Sequence, residues 1–468
     1  MTERTWPGEW VSARLGVTLH DGGHDGHGGD RASGTGLADL VGLAVRRNPR
    51  RAHLLVSAVL GKHVPTDPRL VYGAGLLLGE LVHATLTGRP ARRDHPLGSA
   101  LAGRPGSAAA LRDRSRGPRP PVDALVIGYA ETATALGHSV ADALGAAWYL
   151  HSTRRPAWGI RPYGAFEEEH SHATSHLLLP APAGPLHSDA PLVLVDDELS
   201  TGTTVLNTLA ALHAARPRRH YVVAALVDLR GPADRDRLAA LATRLDARID
   251  TVALATGRVG LPAGILAAGR ALAESLTDPA ARPPEPGRNR VTRVEIGWPD
   301  GLPDGGRHGF TPEHRAALEK ELPAQAARLA AELPAAARRV LVLGFEELMY
   351  VPLRLAEALA DALPRAAVRY STTTRSPVLA VDDPGYAIRT RLAFPAHDDP
   401  ADGPGTRYAY NVAPGADPAR AFDAIVLVVD GPADTPALAG GLLPLLAGQA
   451  PVLLVTIPAY RPGRREVR

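Results

Sequence analysis

Between residues 124 and 255 short, continuous apolar runs alternate with helical patterns, and few folds accept that order. The runs are Ala124–Gly128, Ala147–His151, Leu192–Val195, Tyr221–Val227 and Thr251–Ala255. Helical spacing falls over Ala135–Leu144, Thr203–Ala215 and Arg235–Leu245. A strand that is apolar at every position, instead of at alternate ones, is buried on both faces. The pattern predicts a parallel sheet flanked by helices, an α/β fold whose ligands bind beyond the carboxyl ends of the strands.

One of those strand ends carries most of the chemistry. Leu192-Val193-Leu194-Val195 runs into Asp196-Asp197-Glu198-Leu199, then Ser200-Thr201-Gly202-Thr203-Thr204, then a helix with Val205, Leu206, Leu209 and Leu212 on one face. Arg216 before Pro217 marks its end. A turn of small hydroxyl residues at a helix start offers backbone N–H donors, hydroxyls and the positive end of the helix dipole, which together suit a phosphate. Asp196 and Asp197, expected where the strand ends, can take ribose hydroxyls or hold Mg²⁺. An ordinary strand-to-helix turn capped by Ser200 or Thr201 would share the pattern.

Neighbouring strand ends should supply the rest. Tyr129-Ala130-Glu131-Thr132-Ala133-Thr134 follows the first strand. A carboxylate such as Glu131 beside a diphosphate needs a cation to be tolerated. The second strand leads to His151-Ser152-Thr153-Arg154-Arg155, where Arg154 and Arg155 have the shape to clamp a diphosphate. The stretch Phe166 to His176 follows, rich in Glu and His, and His170 or His172 could move a proton. His172 and His176 also have the helical spacing of metal ligands. Upstream, Pro49–Ala84 reads as helix-loop-helix, with helical patterning from Leu37. Lys62 stands out there, because Lys320 is the chain's other lysine.

The chain of 468 residues is long enough for more than one domain. It contains no cysteine, which excludes disulfides, thiolate metal sites and a cysteine nucleophile. Its net charge of +3 and the absence of a Lys/Arg-rich block argue against nucleic acid as a partner. Its start lacks a signal-peptide pattern, and Leu438–Tyr460 is broken by Pro444, Gln449 and Pro451, so it reads as helix then strand, not as a membrane span. A cytoplasmic protein is expected. Residues 1–35, with His20-Asp21-Gly22-Gly23-His24-Asp25-Gly26-His27, read as a flexible segment with some metal-binding character. Residues 277–290 read as a Pro/Arg-rich linker between a domain over 36–276 and a second α/β domain over 291–468. Strands are expected there at Val340–Leu343, Val368–Tyr370, Ala424–Val429 and Val452–Thr456. Arg307, Glu346, Glu347, Thr374, Arg375 and Ser376 gather candidate ligands for an anion, with Tyr410, Asn411 and Asp430 near them in pattern.

The run from Leu192 to Thr204 resembles the phosphoribosyl diphosphate signature of type I phosphoribosyltransferases. The whole chain from about residue 36 resembles a bacterial family that joins an orotate-phosphoribosyltransferase-like domain to a domain named for Thr-Arg-Ser-Pro, here Thr374-Arg375-Ser376-Pro377. The resemblance implies a type I phosphoribosyltransferase-like parallel sheet and a Mg²⁺-dependent transfer from phosphoribosyl diphosphate to a base-like acceptor. It implies a 5′-phosphate on Ser200, Thr201, Gly202, Thr203 and Thr204, and ribose hydroxyls on Asp196 and Asp197. The diphosphate would lie by Ala130, Glu131, Thr132, Thr134 and Arg154. A closing loop would carry His170 and His172, and a hood over the acceptor would include Lys62. Family members lie beside tellurite-resistance and stress genes, and the resemblance also implies that they make a nucleoside-like metabolite. Related enzymes are often homodimers. A non-catalytic sensor of the same ligand, or a nucleoside hydrolase or phosphorylase, would use similar residues.

Overall fold

The computed structural model describes residues 5–22, 34–46, 48, 51–92, 94–155, 160–166, 176–181, 183–276, 289–398 and 405–460. Six strands build the first sheet: β1 (Thr18–Asp21), β2 (Leu125–Gly128), β3 (Trp148–His151), β4 (Leu192–Leu199), β5 (His220–Asp228) and β6 (Arg248–Gly260). Their order is β1-β6-β5-β4-β2-β3, with β1 antiparallel and every other pairing parallel. A second sheet has β7 (Val291–Arg293), β8 (Arg339–Gly344), β9 (Ala367–Thr372), β10 (Ala424–Asp430) and β11 (Val452–Ile457). Its order is β7-β11-β10-β8-β9, all parallel. The α/β reading of both halves therefore holds. The apolar runs at Leu125–Gly128 and Ala424–Asp430 lie in fully buried strands, whereas Thr251–Ala255 is only partly buried.

Several expectations differ from the structure. Residues 5–22 are not a flexible segment: Glu9–Leu15 is a helix, and β1 pairs along Gly257–Gly260, which extends β6 well past the expected Ala255. His24 and His27 lie outside the described residues, as do residues 277–288 of the expected linker over 277–290. His20 turns its Nε2 to the Thr18 hydroxyl at 2.8 Å. The expected helix-loop-helix over Pro49–Ala84 is a strand followed by one helix. Val41–Val45 and His53–Ser57 pair as an antiparallel hairpin, and Pro68–Thr87 is the helix. A short apolar run does not distinguish strand from buried helix, and pairing decides it. Helical residues after Leu37 stop at Leu40. The expected helix over Arg235–Leu245 starts earlier, at Pro232, where proline's missing N–H costs nothing. The helix Pro68–Thr87 has the length and hydropathy of a membrane span, yet most of it is buried within the protein.

The two halves share a core. One apolar cluster runs from Leu70, Leu77 and Val140 of the first half to Met349, Val351 and Leu355 of the second. A buried polar knot sits within it: Asp142 accepts from Tyr72 at 2.8 Å and Tyr350 at 2.7 Å, and Arg354 reaches the Tyr72 hydroxyl at 3.2 Å. Arg112 and Arg354 both pair with Glu357, at 3.1 and 2.7 Å. Removing one member would strand a buried charge, so the knot fixes how the sheets face each other. As a result the carboxyl ends of β2 and β3 meet those of β8, β9 and β10.

Candidate active site

β4 carries its acids inside the strand, not beyond its end. Pairing with β5 continues through Asp196, Glu198 and Leu199, so the acids belong to the sheet itself. This corrects the expected strand end at Val195. Asp196 caps the backbone N–H of Asp197 at 2.9 Å, and Arg51 holds Glu198 at 2.6 Å. Burial and the neighbouring Glu198 push the Asp197 carboxyl up, against the opposing pull of Asp196 and Lys62. Leu40, Val41, Leu55 and Ser57 from the hairpin side close over Asp197 and leave a narrow cleft between them.

Ser200–Gly202 turns the chain into the helix Thr203–Ala215. Gly202 has φ +75°, and a Cβ there would stand 3.1 Å from Arg230 Cδ. Asp228 fixes Arg230 with two contacts of 2.9 Å, so the end of β5 braces the turn. The Thr201 and Thr203 hydroxyls meet at 3.1 Å. The Thr203 N–H lies 3.4 Å from the Thr201 hydroxyl, and the N–H groups of the first helical turn have no acceptor within the helix, as at any helix start able to face an anion.

The loop after β2 is the second part of the site. The Ala130–Glu131 peptide is cis. Ala130 N–H donates to the Ser152 hydroxyl at 2.9 Å, and the Thr134 hydroxyl donates to the Glu131 carbonyl at 3.3 Å. Lys62, expected on a hood over the acceptor, is buried and instead donates to the Thr132 hydroxyl at 3.1 Å. It also lies 3.3 Å from the Glu131 carboxylate. The remaining partners of Glu131 come from the second half: the Thr374 hydroxyl at 2.8 Å and Arg375 Nε at 3.5 Å. Burial pushes the Glu131 carboxyl up, but Lys62, Arg375 and Arg154 together hold it below its ordinary range.

The second-half candidates do not form a separate site; they close this one. Glu346, with φ +45°, accepts from Arg375 at 2.7 Å and Arg407 at 2.6 Å. Burial and the nearby Glu131 push its carboxyl up, while the two arginines pull it down. Glu347 accepts from the Thr153 hydroxyl at 2.6 Å and the Arg154 N–H at 2.9 Å. Burial opposes its ionisation, yet Arg307, Arg155 and His151 hold it down at about 2. Arg307 lies 3.6 Å from Glu347 and 3.7 Å from Asp430. Ser376 stands aside, taking Arg46 at 3.3 Å, and Asn411 ties the His63 and Ala387 carbonyls together. Tyr410 donates to the Ser376 carbonyl at 2.6 Å.

Arg155 is no diphosphate clamp: it is buried against Asp430 at 2.8 Å and Asp398 at 2.7 Å, above the Phe345 ring. His176 is not arranged as a metal ligand, since Ser152 takes its Nδ1 at 2.9 Å and Arg154 its Nε2 at 3.3 Å. His170 and His172 lie outside the described residues; the strands flanking their stretch, Gly164–Phe166 and His176–Leu178, pair antiparallel. Among the described residues no three His, Asp or Glu side chains are grouped as a metal cage. A cation held largely by ligand oxygens, with Asp196 and Asp197 beside it, fits this donor set. Arg407 and Arg51 escaped the sequence reading, and Ser152 stood in it only as part of the strand end His151–Arg155; Arg407 carries no local signal.

Two family models match parts of the chain. Residues 40–258 match the family model described as phosphoribosyl transferase. Residues 304–446 match the model of the TRSP domain found C-terminal to it. No curated protein sequence matches the chain. Partial structural similarity is found to adenine phosphoribosyl transferase from Trypanosoma brucei, at 18% identity and TM-score 0.23, over 30% of this chain and 60% of that one. The Giardia lamblia adenine enzyme aligns at 18% identity and TM-score 0.23, over 33% and 82%. A Staphylococcus aureus hypoxanthine phosphoribosyltransferase aligns at 11% identity and TM-score 0.20, over 42% and 79%. The chain spans 60% of the length of the first of these.

Proposed function

We propose that this two-domain phosphoribosyltransferase, with its transferase domain over residues 40–258 and its TRSP domain over 304–446, moves the phosphoribosyl group of phosphoribosyl diphosphate to a ring nitrogen of a base-like acceptor. The observation that carries this reading is the glycine-hinged turn Ser200–Gly202, which runs from the acid-bearing strand β4 into the helix Thr203–Ala215 within the residues that match the phosphoribosyl transferase model. The acceptor nitrogen's lone pair forms the bond to C1, the C1–O bond to the diphosphate breaks, and its electron pair leaves with the diphosphate. The nitrogen's proton is released.

Each part of this chain has a task in that step. Ser200 to Thr204 hold the 5′-phosphate by hydroxyls and backbone N–H groups. Asp196 and Asp197 accept from the ribose hydroxyls and orient C1. The loop Ala130–Thr134 and Arg154 receive the leaving diphosphate. Mg²⁺, when bound, would neutralise diphosphate charge, and Asp196 and Asp197 are the residues placed to hold it through hydroxyl or water oxygens. The acceptor would approach from the hairpin side, where Val41, Leu55 and Ser57 line a cleft with Asp197.

The test is release of diphosphate from phosphoribosyl diphosphate with Mg²⁺, followed across a panel of purine, pyrimidine and azole bases. Release that depends on one acceptor supports transfer. Release that is equally fast with water alone would instead assign a hydrolase.

A further inference from the structure

The Glu131 carboxylate lies where the leaving diphosphate is expected, inside the loop after β2, and it has drawn cations to itself. Lys62 lies 3.3 Å away and Arg375 Nε 3.5 Å away, with the Thr374 hydroxyl donating at 2.8 Å. A buried carboxylate needs such neighbours, but so would a diphosphate at the same place. Arg375 is not committed to Glu131 alone: Glu346 holds it from behind at 2.7 Å and holds Arg407 at 2.6 Å. The guanidinium would therefore keep its place if Glu131 turned away. Lys62 likewise has the Thr132 hydroxyl at 3.1 Å to steady it.

We infer that Arg375 of the TRSP domain is a diphosphate-binding residue of the transferase site, and that the Glu131 carboxylate is an internal stand-in which the diphosphate displaces from Arg375 and Lys62. The inference rests on the transferase reading and adds to it a second domain that completes the site. It explains why the Thr-Arg pair of the TRSP motif follows β9 directly and faces the carboxyl end of β2 across the domain junction. It also explains an acid in a loop that must receive an anion. Occupied by Glu131, the cations are shielded from other phosphates; a diphosphate, with more charge and more acceptor oxygens than one carboxylate, outcompetes it. No bond is made or broken in this exchange.

The test is calorimetric titration of the full chain with inorganic pyrophosphate and, separately, with ribose 5-phosphate, both with Mg²⁺. Arg375→Ala should weaken pyrophosphate about tenfold or more, and Glu131→Gln should tighten it about tenfold, since each changes one buried charge beside the ligand. Arg375→Lys should fall between wild type and Arg375→Ala. Ribose 5-phosphate, held by Ser200–Thr204, should bind equally in all of them, which also shows that the variants are folded. Pyrophosphate binding unchanged in both variants, or weakened by Glu131→Gln, would overturn the inference while leaving the transferase reading intact. Loss of ribose 5-phosphate binding in Arg375→Ala and Arg375→Lys would overturn it too, by showing that Arg375 acts through the fold. A wild type that binds neither ligand would overturn the transferase reading, and this inference with it.

Discussion

Thr374 donates its hydroxyl to the Glu131 carboxylate at 2.8 Å, so the Thr-Arg-Ser-Pro motif of the second half lies directly on the loop after β2 in the first. The two halves bring the carboxyl ends of their sheets together.

That contact is measurable on its own. Thr374→Val keeps the side chain's shape and removes the donor, leaving a buried carboxylate short of one partner. Stability should fall by about 2 kcal/mol, the scale of a hydrogen bond to a charged group. Thr374→Ser should restore most of it. Urea unfolding of the three proteins at neutral pH checks this.

Acid should act in two separate windows. His53, His151 and His308 are buried neutral, chiefly by burial itself, with folded values of about 4 against 6.5. Because their folded values are depressed, the unfolded chain takes up protons first as pH falls below 6.5. Each costs on the order of 3 kcal/mol by pH 4, so stability should decline steeply across that range. Glu347, buried but held at about 2 by Arg307, Arg155 and His151, acts lower down. Its stabilisation is full above its unfolded value of 4.5 and is lost as pH falls toward 2, again on the order of 3 kcal/mol. Urea midpoints at pH 7.5, 6 and 5 test the first window. A shallower decline below pH 4.5 in Glu347→Gln tests the second.

The turn after β4 depends on a left-handed residue. Gly202→Ala would meet both the φ of +75° and Arg230 Cδ at 3.1 Å. Left-handed backbone costs a residue with a Cβ about 1–2 kcal/mol, so a stability loss of that size is expected. Shifting the turn would also misplace the helix-start donors, and ribose 5-phosphate should bind about tenfold more weakly. Calorimetry and urea unfolding of the same variant measure both.

What could be read in advance was local. The apolar strands, the helix Thr203–Ala215 and the cradle residues all carry their pattern within a few neighbours. The hairpin Val41–Val45 with His53–Ser57 was misread because short apolar runs fit helix and strand alike until a partner is known. β1 was missed because a polar edge strand gains its structure from pairing with β6 alone. The acids of β4 were placed beyond the strand because nothing in their own sequence says that β5 continues beside them. The joining of two candidate sites into one was the least legible: Thr374 and Glu131 lie 243 residues apart, and only the packing of both domains on one core brings them together.

Binding of phosphoribosyl diphosphate with Mg²⁺, measured by titration calorimetry on wild type and on the Asp196→Asn/Asp197→Asn variant, tests the central claim most directly. The account predicts micromolar binding by wild type and a loss of about a hundredfold or more in a variant whose circular dichroism is unchanged. Equal binding by the variant, or none by folded wild type, would contradict it.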